Sequence, residues 1–533
     1  MSTVVSSRTF GLPSAPAAEA ATSPEQDRMP LLEANRAYQE AHIARFHTPG
    51  HKGGAGAPAP LREMLGPALL YDACDEVQAP ELGQDWDEAM DQAEELAAQF
   101  YRTNHTFFLV NGTTSGIQAM LLAAAGPGEE VILPRDAHWS AVSALILSGA
   151  HPVLLPTPYD WELGVPGIPE PEAYAQALQE HPNAKAVFLI NPNYYGVAGR
   201  VYDIARIAHE AGIPLLVDEA HGPHLRFHPD LPPSALDAEA DGVAQSMHKL
   251  LGAMTQASLL HVQGGRLPWS RVAAALRLVT STSPNPLLCI SLDAARWQMA
   301  RYGRGLVART LELARQVRVQ LASIPGLKLW GREAMRRPGY HDLDLTKVIV
   351  DVSELGITGF EAERRLREYG VQVELSDLTH VLALITIGDT AESIARLVGA
   401  FQRLAAEAPA RVSGPFHTLP LDAKGPARAS GSPLALLRPD ARFLPVPEAV
   451  MSPRDAFFAP SEWLGWDRAV GRVAAEWIAP YPPGIPVITP GERVTPEVAQ
   501  AVHIWVKAGA HLRTFSPGSD GRQGIRVVAD ESL

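Results

Sequence analysis

Cysteine is nearly missing from this chain of 533 residues: Cys74 and Cys289 are the two present. They stand far apart and in no metal-ligand spacing, which argues against a disulfide framework and fits a reducing compartment. Long hydrophobic runs are missing too, and no stretch approaches the roughly 18–20 apolar residues of a membrane span. Positive charge is in deficit, with 45 Lys and Arg against 59 Asp and Glu and a formal net charge of −14. A dominant electrostatic pull toward nucleic acid or anionic membrane is therefore not expected. The first 28 residues are rich in Ala, Ser, Thr and Pro but lack a basic start followed by an apolar stretch. They read as a disordered leader rather than a signal peptide, and the expected setting is the cytoplasm.

What is present is ordinary for a soluble globular protein, with 46% apolar and 20% charged residues. The length calls for two or three domains. From about residue 105, short β-prone runs alternate with helical spacing: TFFLV (106–110), EVILP (130–134), PVLLP (152–156), AVFLI (186–190), PLLVDEAH (214–221), GVAQSM (242–247) and ASLLHV (257–262). Seven such strands predict an α/β domain over 105–320 with a mainly parallel seven-stranded sheet, which gathers ligands at the carboxyl ends of its strands. An N-terminal segment (29–104) precedes it. A long helical pattern near 285–322 leads into a second alternation, read as a smaller α+β domain over 321–407. Residues 408–436, rich in Pro, Ala, Gly and Ser, form a linker or long loop, and 437–533 a C-terminal domain.

The polar residues of interest fall just after the apolar runs. NGTTSGIQAML (111–121) follows a strand and opens a helix, placing Thr113, Thr114 and Ser115 at its N-terminus. Free N–H groups and the helix dipole there favour an anion, although an N-cap with surplus hydroxyls has the same pattern. VDEAHGPHLRFH (217–228) puts Asp218 at a strand end, where a buried carboxylate persists when it has a partner. The same stretch raises a metal site on His221, His224 and His228. Gly222-Pro223 breaks the helix where those ligands would need it, and no matching partner set stands out, so no metal is expected. PRDAHWS sets His138 between a strand and a helix, and QSMHKLLGAMTQASLLH (245–261) sets Lys249 among apolar and hydroxyl residues. Taken alone, the histidine reads as a local hydrogen-bonding residue and the lysine as a snorkelling surface residue. Together, in this order and on this fold class, a phosphate cradle, an aromatic ring, a carboxylate and a lysine are the parts that hold pyridoxal 5′-phosphate (PLP). The lysine forms an imine, and the carboxylate keeps the ring nitrogen protonated.

HTPGHKGG (47–54), NGTTSGIQAML, PRDAHWS, NPNYYGV (191–197), VDEAHGPH, SMHKLLGAMTQAS and TSTSPNPLL (280–288) together resemble the bacterial ornithine/lysine/arginine decarboxylases. The likeness is closest to the short form of that family, which lacks an N-terminal wing, and covers about residues 30–405; PYPPGIPVITPGE (480–492) resembles part of its C-terminal domain. It implies the fold-type-I PLP-dependent transferase architecture. It also implies that Lys249 is the imine-forming lysine, that Asp218 pairs with the pyridinium and that His138 stacks on the ring. Thr113, Thr114, Ser246 and His248 would surround the phosphate, and Ser281 would reach it from a neighbouring subunit, making a homodimer the minimum assembly. YDACDEVQAPELGQDW (71–86) follows the family pattern only in part.

The implied reaction is loss of CO₂ from a basic amino acid, with Lys249 or a histidine such as His221 returning a proton to Cα. Proton consumption suits polyamine synthesis or acid resistance. A basic substrate needs an acidic group deep in the pocket. Glu374 and Asp377 in VQVELSDLTH are the candidates, with Asp75 and Glu76 behind them, and an ordinary solvated loop reads equally well. Arginine is favoured because short-form relatives often use it, with lysine and ornithine next. The rivals are another PLP enzyme of this fold, such as an aminotransferase or a lyase, a non-catalytic PLP-fold regulator, and a metal hydrolase.

Overall fold

The computed structural model describes residues 24–73, 78–79, 84–408, 446–481, 484–514, 521 and 523–529. Asp75, Glu76, Cys74 and nearly all of the 408–436 segment lie outside these residues. Within the expected leader, Pro24–Asp27 forms a 3₁₀ turn whose Gln26 is buried and donates to the Leu96 carbonyl at 3.0 Å.

The sheet at the centre of the molecule has seven strands: β1 (His105–Leu109), β2 (Glu130–Pro134), β3 (His151–Leu155), β4 (Ala186–Ile190), β5 (Leu215–Asp218), β6 (Gly242–Gln245) and β7 (Ser258–Val262). Their spatial order is β1-β7-β6-β5-β4-β2-β3. β7 runs antiparallel to both its neighbours, and the remaining pairs are parallel. The five inner strands are buried along nearly their whole length, and strands covered on both faces favour apolar side chains at successive positions, whereas the edge strands β1 and β3 are half-buried. Val187, Leu189, Leu215, Val217 and Val243 enter one core. Ala186, Phe188, Leu216, Ala244 and Leu260 enter the other, beneath the helices Gly112–Ala124, Trp139–Ser148 and Trp269–Val279.

Two of the apolar runs leave the sheet earlier than their composition suggests. The run through His221 ends as strand at Asp218, after which Gly222 N–H donates to the Glu219 carbonyl at 2.9 Å and turns the chain. Glu219 anchors that turn: it is fully buried and accepts from Ser234 Oγ at 2.8 Å, Ala235 N at 2.6 Å and Gln245 Nε2 at 2.6 Å. The run through Met247 ends as strand at Gln245 and passes into the short helix Met247–Leu250. Both endings place their polar residues at the carboxyl edge of the sheet.

A 37-residue helix, Pro286–Ala322, joins the large core to the next unit. Leu292, Met299 and Leu311 pack into the large core, and Ala314, Val317 and Leu321 into a separate one. That second core lies under an antiparallel sheet of β8 (Lys347–Asp351), β9 (Leu375–Ser376) and β10 (His380–Leu384), with β10 in the middle. A further core, built around Trp466, Ile488, Val502 and Ile525, belongs to the C-terminal residues.

Candidate active site

β5 delivers Asp218 to the carboxyl edge, opposite Ile190 of β4 and Ala244 of β6. The chain after β6 turns at Ser246 into the short helix that carries His248 and Lys249. After β2, His138 caps the helix Trp139–Ser148: its Nδ1 accepts from Ser140 N at 3.2 Å, which leaves Nε2 as the N–H nitrogen. These residues meet at one cavity of about 360 Å³, whose wall includes Thr113, His138, Asp218, His221, His248, Lys249 and Glu374.

The electrostatics follow from burial. Asp218 is 7% exposed and accepts one hydrogen bond, from Ala220 N at 3.0 Å; among the described residues no cation forms an ion pair with it. Burial raises its carboxyl above the ordinary range, opposed by that N–H and by Lys249. Burial likewise lowers the Lys249 ammonium, against the pull of Asp218 and Glu374. His138 is pushed down to about 3 by burial and then by the Lys249 charge, so its ring is neutral near pH 7.

Of the helix-terminal hydroxyls, Thr113 reaches the cavity and lies 3.1 Å from Ser246 Oγ. Thr114 stays off the wall, half-buried. Ser115 is turned back into its own helix, donating to the Gly112 carbonyl at 2.9 Å. Ser281 is exposed and accepts from Ser283 N at 3.1 Å. The three histidines of the metal reading part company. His221 lies between two lysines, His224 faces Asp344 at 3.1 Å, and His228 accepts from Asp230 N at 3.1 Å. The described residues hold no group of three or more His, Cys, Asp or Glu arranged for a metal ion.

The two acidic candidates also separate. Glu374 is on the cavity wall, where Tyr194 Oη donates to it at 2.8 Å. Asp377 is not among the residues of that wall; Tyr195 Oη donates to it at 3.0 Å and His380 Nδ1 lies 3.1 Å away. Burial works against the Asp377 charge, yet His380 and the Thr379 and His380 N–H groups hold the carboxyl below its usual range. It serves the small sheet, a role that the short spacing from Glu374 hides.

Sequence reasoning missed Lys347, which begins β8, is fully buried and places Nζ 2.6 Å from His221 Nδ1. A lysine heading a VIV run was the available signal. It also gave no role to Tyr194, whose ring lies 4.3 Å from that of His221. Tyr481 and Ile485, from the proline-rich C-terminal stretch, complete the wall. Gly484 packs on His138 with φ +91°; a Cβ there would stand 3.2 Å from Nε2.

The family model for the Orn/Lys/Arg decarboxylase major domain matches residues 29–393, and the model for the C-terminal domain of the same family matches 438–530. An arginine decarboxylase of Halalkalibacterium halodurans is 38% identical over 95% of this chain and 98% of its own length. One of Bacillus subtilis is 36% identical over 95% and 99%. Among solved structures, lysine decarboxylase A of Pseudomonas aeruginosa superposes with a TM-score of 0.75 at 24% identity, covering 95% of this chain and 81% of that one. The Francisella novicida lysine decarboxylase gives 0.75 at 21%, covering 95% and 82%. These likenesses show the fold. With both family models matched in order, the chain belongs to the Orn/Lys/Arg decarboxylase family.

Proposed function

We propose that this chain decarboxylates arginine to agmatine and CO₂ with PLP as its cofactor. The observation that carries the reading is the convergence of Lys249, Asp218 and His138, from three different strand ends, on one cavity. The residues present fit the cofactor. Asp218 is a buried carboxylate with no ion-pair partner among the described residues, suited to a protonated ring nitrogen. Thr113, Ser246 and His248 stand beside a helix N-terminus, suited to a phosphate. Thr114, the third residue of that helix, would offer its backbone N–H to the same group, and Ser281 would come from the second subunit of a homodimer.

Bound there, PLP supplies an electron-poor ring that accepts the electron pair released when the Cα–carboxylate bond breaks. Lys249 would hold the cofactor through its amine, and its lowered ammonium favours the neutral, nucleophilic form. Asp218 would keep the ring nitrogen protonated, and neutral His138 would offer a flat face without a competing charge. His221 Nε2, 2.8 Å from Lys249 Nζ, is placed to hold a proton for return to the substrate carbon. Glu374 would pair with the distal guanidinium. Arginine is chosen over lysine and ornithine because relatives that are 36–38% identical over nearly the whole chain are arginine decarboxylases. We place the reaction in the cytoplasm.

The test is product analysis after incubating the PLP-supplemented protein with arginine, lysine and ornithine in turn. Agmatine and CO₂ are expected. Cadaverine or putrescine would instead reassign the substrate, and no amine from any of the three would overturn decarboxylation.

A further inference from the structure

Three nitrogen-bearing side chains stand in a row that runs from Lys249 and His221 on the cavity wall to Lys347 in the core behind it. Lys249 Nζ lies 2.8 Å from His221 Nε2, and Lys347 Nζ lies 2.6 Å from His221 Nδ1. A neutral imidazole has one N–H donor and one lone pair. Two ammonium groups would both have to donate to the ring, which only an imidazolate could accept. An imidazolium would need two neutral amines. Around a neutral ring, at most one end of the row is an ammonium, and the opposite end is a free amine.

Burial lowers both ammonium groups, Lys347 to about 8, and the surroundings favour the charge at the Lys347 end. Asp344 stands by Lys347; burial opposes its charge, but His224 and Lys347 hold its carboxyl down to about 2, so it is ionised throughout the neutral range. At the other end Asp218 has a raised carboxyl, and Glu374 already accepts from Tyr194. Among the described residues, His138 and His248 also act on His221, and the Tyr194 phenol ring faces both lysines. The loop 191–197 is shaped around the row. The Tyr194 ring lies 5.7 Å from Lys249 Nζ and 6.0 Å from Lys347 Nζ. Gly196, at φ +87°, leaves space for the Lys347 stem, since a Cβ there would fall 2.7 Å from Lys347 Cγ.

We propose that Lys347 is a positioning residue which, acting through His221, holds Lys249 as a neutral amine and refills His221 when it gives up a proton. Lys347 donates to Nδ1, and Nε2–H donates to the Lys249 lone pair. When Nε2 releases its proton into the cavity, Nδ1 takes one from Lys347. The ring ends neutral in the opposite tautomer, and Lys347 ends as an amine. Charge and protons balance without any further group. The proposal rests on the reading of Lys249 as the cofactor lysine, but it can be tested apart from it.

The measurement is reductive methylation of the full-length, cofactor-free chain with formaldehyde and cyanoborohydride, following the Lys249 peptide by mass spectrometry against pH. Wild-type Lys249 should react readily near neutrality. In Lys347→Met the His221 tautomer can invert, so that Lys249 becomes the ammonium donor; its midpoint should rise by about one pH unit, with roughly tenfold slower labelling below it. His221→Asn breaks the row at its centre and should show the same rise, which covers the case of a misfolded Lys347 variant. Lys347→Arg keeps a permanent donor and should restore most of the wild-type midpoint. Unchanged midpoints in Lys347→Met and His221→Asn would overturn the proposal. A chain that forms no amine from arginine, lysine or ornithine yet shows the shift would sink the decarboxylase reading and leave the row standing.

Discussion

Arg135 Nη2 donates to Glu492 Oε2 at 3.1 Å across 357 residues of sequence, and the two side chains are 5% and 3% exposed. The same guanidinium donates to the carbonyls of Pro486 at 3.2 Å and Val487 at 3.0 Å. Arg135 directly follows β2 and lies three residues before His138, so this contact ties the C-terminal wall to the floor of the cavity. Removing one partner of a buried pair leaves the other charge uncompensated. Arg135→Met should cost roughly 3–5 kcal/mol in urea unfolding and weaken amine formation even where the protein remains folded.

Lys249→Ala should lower amine formation by about a thousandfold or more, equivalent to ~4 kcal/mol of barrier. Asp218→Asn keeps the shape and removes the charge, and a loss of about 10²–10³-fold in kcat with little change in KM is expected. Equal effects of the two changes on KM alone would show that both residues only bind. Steady-state kinetics with arginine reads the difference.

Glu374 and Asp377 should behave as different kinds of residue. Glu374→Gln removes the acidic group on the cavity wall and should raise KM for arginine about 10–100-fold, the range of one hydrogen bond to a charged group. Asp377→Asn should leave KM in place and lower the melting temperature, because it strands buried His380, whose imidazolium is favoured by Asp377 against burial. A KM effect confined to Asp377 would reverse the assignment.

His261 is fully buried between Thr106 and Gln245, and burial, followed by the charge of Arg226, pushes it down to about 3. The folded chain thus stays unprotonated at His261 while the unfolded chain takes a proton near pH 6.5. Stability is full above about pH 6.5 and falls as pH drops toward 3, by ~1.4 kcal/mol per pH unit at most for one histidine. His221, also lowered, adds to the slope in the same direction. His261→Gln should flatten the acid limb of a urea-midpoint profile, and an unaltered limb would exclude His261 from it.

The apolar runs were legible because strands covered on both faces leave little freedom at either, and the seven runs correspond to the seven strands, the half-buried edges included. Their polar ends were legible too, since turns such as Asp218–Gly222 place side chains where the sheet stops. The partners across long separations were not. Nothing in KVIVDVSE says that its lysine meets His221, because that pairing is made by packing the small sheet on the large one. Nor does PYPPGIPVITPGE announce that Gly484 will lie against His138. Glu374 and Asp377 looked equivalent at a spacing of three, yet one faces the cavity and the other is held by His380.

The wall formed by Tyr481 and Ile485 makes the cavity sensitive to substitutions that never touch it. Its frame includes the pairing of Ser461–Gly465 with Gly524–Val528, whose Leu464, Ile525 and Val527 share one apolar core with Val487 and Ile488. Loosening that core shifts the wall while Lys249, Asp218 and His138 stay where the large sheet holds them. Apolar exchanges at Ile525 or Val527 are therefore expected to adjust access to the cavity rather than its chemistry.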